Sequence, residues 1–308
     1  AKQLSHKYAE MSSGRVVVDL AENHGRQVAR SFVQNVAETV GCIAQAKEEV
    51  WHYQTPKLSS AVSTISIGLD GTSMILTQQG NRQAMVGTIS LYDAHGERLH
   101  TTYIGAAPEY GRATFLTRME REIEHVISLY PDAHRQGLAD GASENWTFLA
   151  SYVETQIVDF YHATGYLKLM ANVLYPRRPK PREKWIETQA HRLKHEPKAA
   201  QAFLAEWAQI EPSSLNATGQ ENLHSVLTYF TNHHHQMAYA ETRQVHRPIG
   251  SGVTEAACKV LVKQRLCGSG MQWKELGATM VLSLRVLSYT CGRWQQFWSK
   301  INRYGFSL

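Results

Sequence analysis

Between residues 59 and 166 the sequence follows an order of patterns that few folds accommodate. Ile65, Ile67 and Leu69 interleave with Ser66, Gly68 and Asp70, the period-two pattern of a strand. The run Ala84–Tyr92 is apolar and β-prone, Asp93-Ala94-His95-Gly96 has turn chemistry, and Arg98–Ile104 returns. Three consecutive antiparallel strands are expected, the first ending at Asp70. Arg112–Leu129 places apolar residues at 115, 116, 119, 123, 126 and 127, one helical face. Gly137–Asp140 is a short strand ending in an acid, and Val153–Tyr161 is a further strand carrying Asp159. The order β-β-β-α-β-α-β predicts a mixed α/β sheet with acids at strand ends, where open sheets collect their chemistry.

The rest of the chain divides around this region. Residues 1–56 are expected to be helical: Ala21–Arg26 separates a run with Val17, Val18 and Leu20 from one with Val28, Phe32, Val36 and Val40. This is the shape of a helix-turn-helix, with Arg26 and Arg30 near the start of the second helix, or of a plain helical hairpin. Residues 57–166 form the first part of the sheet. Residues 167–245 begin with the basic, proline-rich link Pro176–Arg182 and read as an all-helical insertion. Residues 246–308 return through the loop His246–Gly252 to two helices.

Composition excludes several classes. The chain has 308 residues, 43% hydrophobic and 9% aromatic, enough for a substantial core and too apolar for a disordered chain. No run of 18 apolar residues crosses a membrane, and no signal pattern opens the chain, which reads as cytosolic. Its start at Ala1 is compatible with a fragment of a longer protein. Four cysteines without a C-x-x-C pair argue against a zinc finger or disulfide scaffold. The net charge of +5 permits a nucleic-acid partner.

Three acids stand beside small residues: Asp70 in Ile67-Gly68-Leu69-Asp70-Gly71, Asp140 in Gly137-Leu138-Ala139-Asp140-Gly141-Ala142, and Glu255 in Gly250-Ser251-Gly252-Val253-Thr254-Glu255. Ser251 is a plausible N-cap that sets Glu255 in the first turn of a helix, where the dipole favours its charge. Two gathered carboxylates ~4 Å apart repel by about 4 kcal/mol at an effective dielectric near 20, a conflict that a divalent cation removes. Magnesium takes oxygen ligands and completes its shell with substrate phosphate. Taken singly, each of these acids is more readily a loop acid or a cap.

Read together, Ile67–Gly71, Leu138–Trp146, Asp159-Phe160-Tyr161-His162 and Gly250–Lys259 resemble the DDE transposases of bacterial insertion sequences. The nearest branch is the one with a helical insertion inside an RNase H-like core, akin to Mutator and hAT elements. The C-terminal block carries most of the likeness: Gly250–Lys259, then Arg265-Leu266-Cys267-Gly268-Ser269-Gly270-Met271-Gln272-Trp273, Leu284-Arg285 and Trp294-x-x-Phe297-Trp298. The resemblance covers roughly residues 57–300. It implies that Asp70, Asp140 and Glu255 bind two Mg²⁺ ions, for which Mn²⁺ substitutes, and that Asp159 and His162 pack around the site and contact flanking DNA. Asp159 is the alternative to Asp140 as second ligand. The implied activity is cleavage of double-stranded DNA at terminal inverted repeats and joining of the 3′ ends to a target, by a homodimer in a synaptic complex within the bacterial nucleoid. A non-catalytic DNA-binding protein derived from such an element, and a structure-selective nuclease on the same core, are the competing classes.

Further basic residues are candidates for DNA contact. Lys259 and Lys263 follow Glu255 at i+4 and i+8 on one helix face, a solvated face on the plainer reading. Arg265 is a phosphate candidate, and Arg177, Arg178, Lys180 and Arg182 cluster in the proline-rich link. Trp185 and Trp207 either stack on a base or fill the core. Trp294, Phe297 and Trp298 form a core stripe. His233-His234-His235 reads as a surface patch. His191 and His195, spaced i, i+4, lack a third metal ligand.

Overall fold

The computed structural model describes residues 1–109 and 112–306. Three helices open the chain: α1 (Lys2–Glu10), α2 (Ser13–His24) and α3 (Arg30–Glu48). Strands β1 (Thr64–Leu76), β2 (Gly80–Tyr92) and β3 (Arg98–Ala106) follow, then α4 (Ala113–Leu129), β4 (His134–Ala139), α5 (Ser143–Leu149) and β5 (Thr155–Val158). The helices α6 (Phe160–Leu174), α7 (Pro179–His195), α8 (Ala199–Trp207), α9 (Ala217–His233) and α10 (Tyr239–Gln244) come next. The chain ends with α11 (Gly252–Ala257), a π turn (Cys258–Lys263), α12 (Gln264–Leu266), α13 (Glu275–Tyr289) and α14 (Arg293–Tyr304).

The five strands form one mixed sheet in the order β3-β2-β1-β4-β5. The first three are antiparallel, and β4 and β5 run parallel to β1. Both faces are covered, so β1 is buried without alternation from Thr64 to Leu69. Its odd-numbered side chains Ile65, Ile67 and Leu69 join Met85 and Ile89 of β2 and Phe115, Met119 and Ile123 of α4 in one core. That core runs on into the helical region through Leu167, Met170, Phe203, Trp207, Val226 and Phe230. The even-numbered Met74 and Leu76, with Ala84 and Val86, join a second core on the other face. Leu261, Val262, Leu282, Phe297 and Trp298 come to it from the C-terminal helices, and Val33, Ala37 and Val40 from α3. Each such fully buried side chain contributes roughly 1.5–3 kcal/mol.

Several expectations are revised. β1 does not stop at Asp70, because the β1–β2 ladder continues unbroken from Thr64↔Tyr92 to Leu76↔Gly80. The strand expected over Val153–Tyr161 is limited to Thr155–Val158, since Asp159 caps α6. The link Pro176–Arg182 is half helix: Pro179 and Pro181 sit in the first turn of α7, where missing N–H groups cost nothing. The N-terminal region holds three helices rather than two, and three helical stretches rather than two follow the 246–252 loop. Trp207 is buried and Trp185 packs against the same core, with ring centroids 6.5 Å apart. Trp294, Phe297 and Trp298 are buried core side chains as expected. No helix among the described residues is long and apolar enough to cross a membrane.

Candidate active site

Strand register lines up the acids. β1 and β4 pair in parallel to Gly68↔Leu138, and carrying that register on two residues sets Asp70 beside Asp140. β4 and β5 pair to Ala139↔Val158, so one further step sets Asp159 beside Asp140. Three acids thus stand abreast, Asp70 midway along β1 and Asp140 and Asp159 just past the ends of β4 and β5.

Glu255 reaches this row from α11, which lies across β1 at Gly68. The Thr254 hydroxyl is 2.7 Å from that of Thr88 on β2. A Cβ on Gly68 would meet Thr254 Oγ1 at 2.2 Å, so glycine here permits the close approach of helix to sheet. The loop before α11 is sewn to the parallel strands: Gln136 Nε2 donates to Pro248 O (2.6 Å), Phe160 N to Ile249 O (3.0 Å) and Ser251 N to Asp159 Oδ2 (2.5 Å). The other Asp159 oxygen accepts from His162 N. With 1% of its surface exposed and both oxygens held by backbone amides, Asp159 is a tie between α6 and the glutamate loop. That leaves Asp140, which is exposed, as the available second acid. The His162 ring packs with Tyr166 and Tyr229.

Each of the three acids is turned onto donors of its own chain. Asp70 Oδ1 accepts from Gly71 N (2.7 Å), and its Oδ2 from the Cys258 thiol (3.5 Å). Asp140 Oδ1 accepts from Ala142 N (3.2 Å) and from Asn145 Nδ2 (3.5 Å). Arg112 fixes Asn145 in turn, at 2.5 Å. Glu255 Oε1 accepts from Ser251 Oγ (2.9 Å), so the serine holds the glutamate rather than capping the helix with its side chain. Among the described residues no three acidic, histidine or cysteine side chains close into a ready metal cage. Burial pushes the Asp70 carboxyl above the usual carboxylate range; the Gly71 amide and Cys258 thiol oppose this, and the charges of Asp140 and Glu255 add to it. An oxygen-only donor set with mutual repulsion suits a hard divalent cation.

A cleft of about 730 Å³ opens beside Asp70 and Glu255, floored by Gly71, Thr72 and Cys258 and flanked by Lys259 and Lys263. Both lysines are exposed, and neither enters an ion pair among the described residues. From α13, Arg285 donates to two carbonyls of the π turn at Cys258–Lys263, Leu261 O (2.9 Å) and Val260 O (2.5 Å), and also to Ala9 O of α1 (2.6 Å).

Arg265 corrects an expectation. It is 3% exposed, donates to Tyr8 O and Met11 O, and lies over the rings of Tyr8 and Trp273, so it braces the N-terminal helices and is withheld from any phosphate. Arg177, Arg178 and Lys180 are exposed at the start of α7. Arg26 and Arg30 are exposed between α2 and α3, where Arg30 Nε donates to Ser13 Oγ (3.0 Å). His191 and His195 stack at 4.4 Å, and Arg243 donates to His195. Cys258 and Arg285 lay inside a quoted motif without a role, because nothing in one sequence says what a side chain 188 or 24 positions away will touch.

No protein-family model matches the chain, and no curated protein is significantly similar to it.

Proposed function

We propose that this chain is a DDE-type transposase built on an RNase H-like core, cutting DNA at element ends and joining them to a target. The observation that carries this reading is the convergence of acids from distant segments: strand register sets Asp70 beside Asp140, and Asp70 and Glu255 line one cleft. A sheet ordered β3-β2-β1-β4-β5, antiparallel in its first three strands, supports the core assignment. Asp70, Asp140 and Glu255 would hold Mg²⁺ or Mn²⁺. When bound, a pair of such ions activates water or a 3′-hydroxyl and stabilises the leaving oxygen. Lys259 and Lys263, along the cleft from Glu255, would take the phosphates next to the scissile one. The exposed Arg177, Arg178 and Lys180, with Arg26 and Arg30, would add contacts to flanking duplex. Two DNA ends brought together call for a homodimer.

The test is a cleavage and joining assay on labelled terminal-repeat duplex with Mg²⁺ or Mn²⁺. Wild type is expected to cut and join, and Asp70→Ala and Glu255→Gln to bind DNA without cutting. Cleavage unchanged in both variants overturns the reading. Cleavage without joining assigns the chain to the nucleases instead, and binding without either makes it a regulator.

A further inference from the structure

The three consecutive histidines at 233–235 do not behave alike. His234 Nδ1 lies 3.0 Å from Thr231 O, and His235 is exposed. His233, the last residue of α9, lies against Gly141, the residue after Asp140. A Cβ on Gly141 would lie 3.2 Å from His233 Nε2 and 3.5 Å from a ring carbon of Tyr229. Gly141 has φ of +111°, so both its backbone and its missing side chain make room for this ring.

A relay of amides decides which ring nitrogen carries the proton. Gln156 Nε2 donates to the Trp146 carbonyl at 3.4 Å, and a carbonyl can only accept. Gln156 Oε1 therefore accepts, and it does so from Gln236 Nε2 at 2.9 Å. Gln236 Oε1 must then accept from His233 Nδ1–H, also at 2.9 Å. Gln236 is buried, so solvent does not scramble the order. In the neutral ring, Nε2 is left with a lone pair and no hydrogen. The Tyr229 ring stands 4.8 Å from that of His233, and its buried hydroxyl has no hydrogen-bond partner among the described residues.

We infer that His233 is a positioning residue of the acid site, its Nε2 lone pair accepting a proton of water held at Asp140. The helical region thereby supplies an acceptor to a centre whose acids all come from outside that region. This rests on the function proposed above. Outer partners of this kind change metal affinity by about 10–100-fold when removed.

The experiment measures Mn²⁺ binding to the full chain without DNA, by electron paramagnetic resonance, alongside the melting temperature without metal. His233→Asn keeps a donor toward Gln236 but has no group at the Nε2 position; His233→Gln puts an amide there. The expected result is about 10-fold weaker Mn²⁺ binding in His233→Asn with an unchanged melting temperature, and recovery to within about 3-fold in His233→Gln. Gln236→Leu, which frees the tautomer but keeps the ring, should weaken binding by an intermediate factor. Asp70→Asn should abolish binding. Wild-type affinity in both His233→Asn and Gln236→Leu overturns the role of His233 while Asp70→Asn still vindicates the acid site. Equal losses in His233→Asn and His233→Gln with a lowered melting temperature also overturn it, leaving a packing role. No Mn²⁺ binding by wild type overturns the acid site and the inference together.

Discussion

The two flanks of the acid row are built from different materials. On the Glu255 side, charged side chains reach backbone carbonyls: Arg285 satisfies the π turn and α1, and Arg265 satisfies α1 and the residue after it. The surface left outside is an open cleft edged by Lys259 and Lys263. On the Asp140 side, rings and amides do most of the holding: Tyr166 stacks on Tyr229 at 3.7 Å, His162 and His233 pack against them, and two glutamines form the relay. The first flank offers mobile positive charge, suited to a phosphate backbone. The second offers fixed rings and a fixed lone pair, suited to positioning a small group. A site with one adaptable and one rigid wall can take a flexible polyanion and still place one bond accurately.

Removing the clamp on the charged flank should have the largest effect. Arg285→Met takes a donor from the carbonyls of Val260, Leu261 and Ala9 and a charge partner from Glu10, and is expected to lower stability by about 3–5 kcal/mol in urea unfolding. Arg192→Met, which removes a half-exposed pair with Glu206 in the helical region, should cost under about 1 kcal/mol. Similar losses from the two would erase the contrast between a buried clamp and a surface pair.

Gly68→Val comes next. Its Cβ would collide with Thr254 and shift the helix that presents Glu255, so cleavage should fall about 10²-fold while DNA binding holds. Retained cleavage would mean that the glutamate flank tolerates movement as well as its surface does. Lys259→Ala and Lys263→Ala are milder: each should weaken DNA binding uniformly across sequences and lower the slope of log K against log salt by about 1, measured by salt titration of anisotropy. The same substitution at Lys194, which lies 5.7 Å from the Phe160 ring, should leave that slope unchanged if phosphate contact belongs to the cleft lysines.

The smallest effect belongs to β3, remote in register from the acids. Burial, and then the charge of Arg293, hold the His100 imidazole down at about 4. Between the ordinary histidine value near 6.5 and about 4, the unfolded chain binds a proton that the folded chain refuses. Stability carried by His100 is thus present above pH 6.5 and lost as pH falls toward 4. Melting temperature should drop by a few degrees across that window in the wild type, and less in His100→Gln.

Much of the fold was legible because it is written locally. The alternation Ile65, Ile67, Leu69 marks β1, and the spacing of Phe115, Met119 and Ile123 marks α4, since each face must be apolar to be buried. The acids could be named because Asp70, Asp140 and Glu255 each sit among glycines and alanines. The length of β1 beyond Asp70 was not legible, because its second half is defined by pairing with β2. The burial of Arg265 was hidden for the same reason: a basic residue soon after Lys259 and Lys263 looks like a phosphate contact until the carbonyls of Tyr8 and Met11 are found beside it. His233 could not be separated from His234 and His235 by composition.

The amino-acid order by itself determined the elements and their apolar faces, because periodicity and turn chemistry act over a few residues. The tertiary structure alone decided which acids stand abreast, since a parallel register joins Gly68 to Leu138 across an intervening helix and hairpin. It also decided which charges are consumed inside the protein and which are left at the cleft. Those outcomes depend on side chains meeting across a sheet and two cores, and hydrogen bonding at that range is set by packing rather than by neighbours in the chain.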